Sequence, residues 1–198
     1  MDIYLIRHGE CYSPADEYYN TEKGIADPPL TDKGISQAEK LAVRCQTVGF
    51  DLIVSSDLSR AVQTAEKIIA LTPCDFLIDT VFREIDMGEP WNEHSNIYEQ
   101  WLLHNEDIPY PNGENGQDVW NRCEAKLRNL TSTQNEKIAV VCHGGTIRSI
   151  ICGVLDIPQQ KRFYFGSRLE NCSISIIKYK EEDKRFYLHT FNDFSHLM

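Results

Sequence analysis

No stretch of this 198-residue chain approaches the roughly 18 consecutive apolar residues of a membrane span. The start, Met1-Asp2-Ile3-Tyr4-Leu5-Ile6-Arg7, lacks the basic leader and the cleavage site of a signal peptide, so a cytoplasmic location is expected. There is no C-x-x-C pair among the seven cysteines, an odd number. Cys45, Cys123, Cys142 and Cys152 fall at apolar positions of helical or strand-like patterns. Buried free thiols are therefore expected rather than disulfides or a zinc site. No Gly-x-Gly-x-x-Gly follows a strand pattern, which speaks against a nicotinamide enzyme. Net positive charge is missing too: 20 Lys and Arg stand against 30 Asp and Glu, a balance of −10. Nucleic acid and anionic membranes are thus poor partners. An anionic small molecule is not excluded, because a local group of Arg and His can still focus positive potential in one cleft.

What remains is an ordinary globular composition, 41% hydrophobic and 25% charged, at a length that closes one core. Short apolar runs alternate with helical patterns, which indicates a three-layer α/β/α domain around a mostly parallel sheet. Ile3 to Ile6, Leu52 to Ser55, Phe76 to Ile78 and Ile138 to Cys142 read as buried strands. Cys172 to Tyr179 alternates like a half-buried strand, and Arg185 to Phe191 can pair with it as a hairpin. Thr31 can cap a helix with the apolar face Ile35, Ala38, Leu41, Ala42 and Cys45. Leu58, Val62, Ala65, Ile68 and Ile69 form a second helical stripe. Val119, Cys123, Leu127 and Leu130 form a third, and Ile147, Ile150, Ile151, Val154 and Leu155 a fourth, stopped by Pro158. Residues 1–198 are read as one domain. An apolar edge strand or helix leaves room for a homodimer.

One stretch breaks the alternation. From Ile85 to Asn121 there is no Lys or Arg, yet there are eight Asp or Glu. It also carries Trp91, Tyr98, Trp101, Tyr110 and Trp120. It reads as an insertion that forms a small cap over a site.

Three segments past strand ends carry the chemistry. Arg7-His8-Gly9-Glu10 follows the first strand. Ser55-Ser56-Asp57-Leu58-Ser59-Arg60 follows the second and opens a helix, as does His143-Gly144-Gly145 after the fourth. Ligands of open parallel sheets bind at the C-terminal strand edge. A helix N-terminus there adds unpaired amides suited to phosphate. Two His and two Arg thus gather on one rim. Guanidinium groups bind phosphate oxygens and stay charged, while imidazole can serve as nucleophile or as acid and base. With no metal or organic cofactor expected, arginines and a protonated histidine would have to stabilise a transferring phosphoryl group.

These segments resemble the histidine phosphatase, or phosphoglycerate-mutase-like, superfamily. The resemblance is carried by Leu5-Ile6-Arg7-His8-Gly9-Glu10, Pro29 to Ala38, Ser55 to Ala65, Arg83 to Glu89, Val141 to Arg148, Asn171-Cys172-Ser173 and Ser195-His196-Leu197. It implies that His8 is the nucleophile and that Arg7, Arg60 and His143 hold the phosphate oxygens. It also implies that Glu84 protonates the leaving alcohol and then activates water. Asp86 and Glu89 are the rival acids. The family's phosphate-binding Asn, six residues after the nucleophile, is here Pro14. Asn20 is the candidate replacement if the Cys11–Pro29 loop folds back. Cys11 lies near enough to the cations to be weighed as a reactive thiol. The expected function is phosphomonoester hydrolysis on a small-molecule substrate. A cofactor-dependent phosphoglycerate mutase and a non-catalytic phosphate-binding module are the alternatives.

Overall fold

The computed structural model describes residues 1–13, 18–88, 99, 103–109, 111–166 and 168–198. A six-stranded sheet is built from β1 (Asp2–Arg7), β4 (Leu52–Ser55), β5 (Asp75–Ile78), β6 (Lys137–Cys142), β7 (Ile174–Lys180) and β8 (Arg185–Asp193). Their spatial order is β5-β4-β6-β1-β7-β8. The first four run parallel, and β7 and β8 close one edge antiparallel. A two-stranded ribbon, β2 (Tyr19–Asn20) with β3 (Ile25–Ala26), stands apart from the sheet.

Strand periodicity assigns the two faces. Ile3, Leu5, Val54, Ile138, Val140 and Cys142 face one helix layer, α3 (Gly116–Thr131) and α4 (Gly144–Val154), with Val119, Cys123, Leu127, Ile147 and Ile150 opposite them. Ile6, Ile53, Ala139 and Val141 face the other, α1 (Asp32–Cys45) and α2 (Ser59–Leu71), against Ala38, Leu41, Cys45, Ala61, Ala65 and Ile68. Successive residues of β1 and β6 therefore serve opposite cores, which is why both strands read as unbroken apolar runs. Thr31 caps α1 by accepting the Gly34 amide at 3.0 Å, a contact worth about 1 kcal/mol. All seven cysteines are free, and Cys45, Cys123, Cys142 and Cys152 are buried. Among the described residues no helix is long and apolar enough to cross a membrane.

Two expectations change. Phe76 to Ile78 is not a buried strand: β5 is the sheet edge, and Leu77 and Ile78 are about half exposed. An apolar run does not distinguish an edge from a centre. The acid-rich insertion ends earlier than Asn121, because α3 begins at Gly116 with a capping box between Asn115 and Asp118. Much of that insertion, including Glu89, Trp91, Tyr98, Trp101 and Tyr110, lies outside the described residues, as does Pro14.

Candidate active site

The parallel register sets the C-terminal ends of β1, β6 and β4 side by side, with Arg7 opposite Cys142 and Ser55 opposite Val141. The residues that follow must converge. His8 is pinned through its backbone: its amide donates to Cys142 O at 3.0 Å, and its carbonyl accepts from Cys172 N and Asn171 Nδ2. Gly9 and Gly34 let the loop after β1 lie against the start of α1, since a Cβ on Gly9 would stand 2.6 Å from Gly34 O. The His8 and His143 rings lie 5.1 Å apart, centroid to centroid, and both side chains are buried.

The histidine tautomers follow from their partners. His8 Nδ1 lies 2.7 Å from Gly9 O. A carbonyl only accepts, so Nδ1 carries the proton and Nε2 keeps the lone pair. Burial, followed by Arg60 and Arg7, pushes His8 well below the ordinary imidazole value of 6.5. Burial, Arg60 and His8 do the same to His143. Both rings are therefore neutral in the free protein, whereas the sequence suggests a protonated histidine. His143 Nε2 meets Ser56 Oγ at 2.9 Å, and its Nδ1 is buried without a partner.

The cations are poorly compensated. Arg60, in the first turn of α2, is 9% exposed and has no ion pair among the described residues. Arg7 donates Nη1 to Leu169 O, while its Nε is buried without a partner. Burial, followed by Arg168, lowers Arg7 from its ordinary value. Such a group of like charges stores unfavourable energy that an anion would relieve.

The helix N-termini supply fewer free amides than expected. Glu84 accepts from Gly145 N at 3.1 Å and Thr146 N at 3.0 Å at the start of α4. A Cβ on Gly145 would stand 2.5 Å from Glu84 Oε1, so any larger residue here would push that carboxylate aside. Asp27 accepts from Ser59 N at 2.6 Å at the start of α2. Carboxylates thus take part of both N-termini, while Arg60 N and Gly144 N have no acceptor among the described contacts, so amides as well as side chains are left to meet a phosphate. Asn20 is engaged elsewhere, since its Oδ1 accepts from the Glu22 and Lys23 amides in the turn between β2 and β3. Among the described contacts none brings it to His8. Cys11 is no activated thiol, since burial raises it despite the neighbouring arginines.

Residues 3–193 match the family model of the histidine phosphatase superfamily (branch 1). The protein belongs to the histidine phosphatase superfamily. Phosphoryl transfer through a histidine is the general chemistry of these enzymes. Probable phosphoglycerate mutase GpmB of Citrobacter koseri is 34% identical over 211 residues, covering 100% of this chain and 95% of the relative. The alpha-ribazole phosphatase of Shigella flexneri superposes with a TM-score of 0.77 at 26% identity, covering 98% of this chain and 97% of the other. A mycobacterial glucosyl-3-phosphoglycerate phosphatase gives 0.77 at 25% identity, covering 96% and 98%.

Four residues of this histidine phosphatase site escape sequence periodicity. Ser56 meets His143, and Asn171 holds the His8 carbonyl. Arg168 is an exposed cation whose charge reaches Arg7, His8, Glu10 and Cys11. Arg122 lies under the Glu84 segment. Ser56 and Asn171 sit inside the motif segments. Arg168 and Arg122 act across loops and helix faces, where spacing carries no signal.

The neutral histidines have a consequence for stability. Unfolded, His8 and His143 titrate near 6.5; folded, they resist protonation to a lower pH. The unfolded chain then binds more protons, so stability falls as pH drops from about 6.5 through the lowered folded values. The melting temperature is expected to decline in that window, with a shallower decline in His8→Asn. A flat melting temperature from pH 7 to 5 would contradict the assignment.

Proposed function

We propose that this protein is a phosphomonoester hydrolase that passes the phosphoryl group through Nε2 of His8. The observation that carries the proposal is the pairing of a neutral imidazole, its lone pair held on Nε2, with uncompensated Arg7 and Arg60. The Nε2 lone pair forms the N–P bond as the ester P–O bond breaks. The leaving oxygen takes a proton from Glu84, which enters the step as the neutral acid, protonated on Oε2, the oxygen with a single amide donor. Glu84 then takes a proton from water, whose oxygen attacks phosphorus, and the N–P electrons return to Nε2. Arg7, Arg60 and His143 hold the equatorial oxygens, and His143 Nδ1 donates one hydrogen bond.

Hydrolysis is favoured over mutase activity by how the other cations are used. Beside Glu84 lies a cleft of about 280 Å³ whose basic lining is Lys23, Arg83 and Arg122. Lys23 pairs with Asp27, Arg83 with Asp57 and Arg122 with Glu114. A second phosphate would find only neutralised cations there, and Asp86, in the same lining, would repel it. Arg168 favours the second reading: it is a rim cation with no acidic partner among the described residues, it suits another anionic group, and relatives are named probable phosphoglycerate mutase.

Kinetics separate the two. Steady release of inorganic phosphate from p-nitrophenyl phosphate, with no need for a bisphosphoglycerate, is the expected result. Interconversion of 2- and 3-phosphoglycerate with negligible phosphate release would overturn it. Phosphate binding with no turnover of any monoester would instead indicate a binding module.

A further inference from the structure

The segment that carries Glu84 has no regular secondary structure of its own, yet general acid catalysis needs its carboxylate placed closely. A brace from α3 holds it. Arg122 Nη1 donates to Val81 O, and Nη2 donates to Arg83 O at 3.0 Å and to Glu84 O at 3.4 Å. The same guanidinium is gripped by Glu114, with Nε to Oε1 at 2.7 Å and Nη2 to Oε2 at 2.9 Å. Glu114 Oε2 also accepts the Asp86 amide at 3.0 Å, and Glu114 N donates to Asp86 O at 2.8 Å. One Arg–Glu pair thus fixes backbone groups at residues 81, 83, 84 and 86, on both sides of the proton donor.

We propose that Arg122 and Glu114 are positioning residues that set Glu84 for proton transfer, a role that rests on the reading of Glu84 as the acid. Both line the cleft beside Glu84, but their polar atoms are spent on each other and on this backbone. Arg122 provides rigid, forked donors, and Glu114 restricts the guanidinium to one orientation. Thr146 Oγ1, which donates to Arg83 O at 2.7 Å, ties the same segment to α4. Gly145 N and Thr146 N hold the carboxylate itself, so losing the brace would act by shifting the backbone that carries it away from the leaving oxygen.

Leaving-group basicity reads this out. p-Nitrophenolate departs without a proton, whereas an alkoxide needs one. In a two-step reaction kcat/KM reports events up to the first departure, so it excludes hydrolysis of the phosphohistidine. Glu84→Gln should lower kcat/KM by about 10²-fold or more on an alkyl monoester and far less on p-nitrophenyl phosphate. Arg122→Gln should show the same selectivity, with an alkyl loss of about 10²-fold. Arg122→Lys should recover part of it. Glu84→Gln/Arg122→Gln should be no worse than Glu84→Gln alone, because one change acts through the other.

Equal losses on both esters in Arg122→Gln, or additive losses in the double variant, would overturn the brace while leaving Glu84 as the acid. Equal losses in Glu84→Gln would overturn the acid assignment and the brace with it. Should Arg122→Gln fail to fold, Arg122→Lys and Glu114→Gln carry the same test. Each must show a larger alkyl than aryl loss, and equal losses there would overturn the brace.

Discussion

His8→Ala is expected to lower turnover of any phosphomonoester by about 10⁴-fold or more, the cost of removing a nucleophile that acts as one unit with its surroundings. No described neighbour can take over. His143 is engaged through Nε2 with Ser56, and the Cys11 thiol is raised rather than lowered. The loss should not come from misfolding. The long-range bonds that place residue 8 are to its backbone, from its amide to Cys142 O and to its carbonyl from Cys172 N and Asn171 Nδ2, while its side chain bonds only the adjacent Gly9 O. Alanine keeps all three. The variant should therefore melt cooperatively and still bind inorganic phosphate. Steady-state assays beside a thermal melt check both halves. Activity within tenfold of the parent would remove His8 from the mechanism.

Arg60→Gln should separate function from stability. Arg60 is a nearly buried cation without an acidic partner among the described residues, and its charge bears on both histidines. Losing it should cost about 10³-fold in kcat/KM, in line with removal of a transition-state charge contact. The same change relieves cation repulsion, so the ligand-free variant should melt higher than the parent. Phosphate at 100 times its Kd adds about 2.7 kcal/mol to the parent, or roughly 5–10 °C for a chain of this size. The variant should lose most of that increment. One more sign is fixed: with Arg60 gone, His8 is less depressed, and the acid limb of the residual activity moves to higher pH. A lower melting temperature with an intact phosphate response would place Arg60 in a structural role instead.

Much of the fold was legible because it obeys simple periods. The alternation within β1 and β6 and the stripes of α1, α2, α3 and α4 each assign residues to one core. His8, Arg60 and His143 were legible because they follow strand ends that the parallel register must bring together. The failures have physical causes. β5 has a buried-strand composition but edge exposure, since hydrophobicity does not report sheet order. The amides of α2 and α4 were expected to face a ligand. Asp27 and Glu84 reach three of them, at Ser59, Gly145 and Thr146, from distant segments, and no local pattern encodes such long-range caps. Asn20 serves its own turn, a local competition between side chain and backbone that motif comparison does not weigh. Arg122 and Arg168 gain meaning only from what lies across a loop.

Phosphorus must bond to one atom, Nε2 of His8, because Gly9 O occupies Nδ1. Rapid quenching during turnover, followed by site mapping and phosphorus NMR of the trapped phosphoenzyme, tests this directly. An acid-labile adduct on residue 8, with the spectrum of the Nε2 isomer, is the expected result. Phosphate on His143, on a cysteine or on Nδ1 of His8 would contradict it.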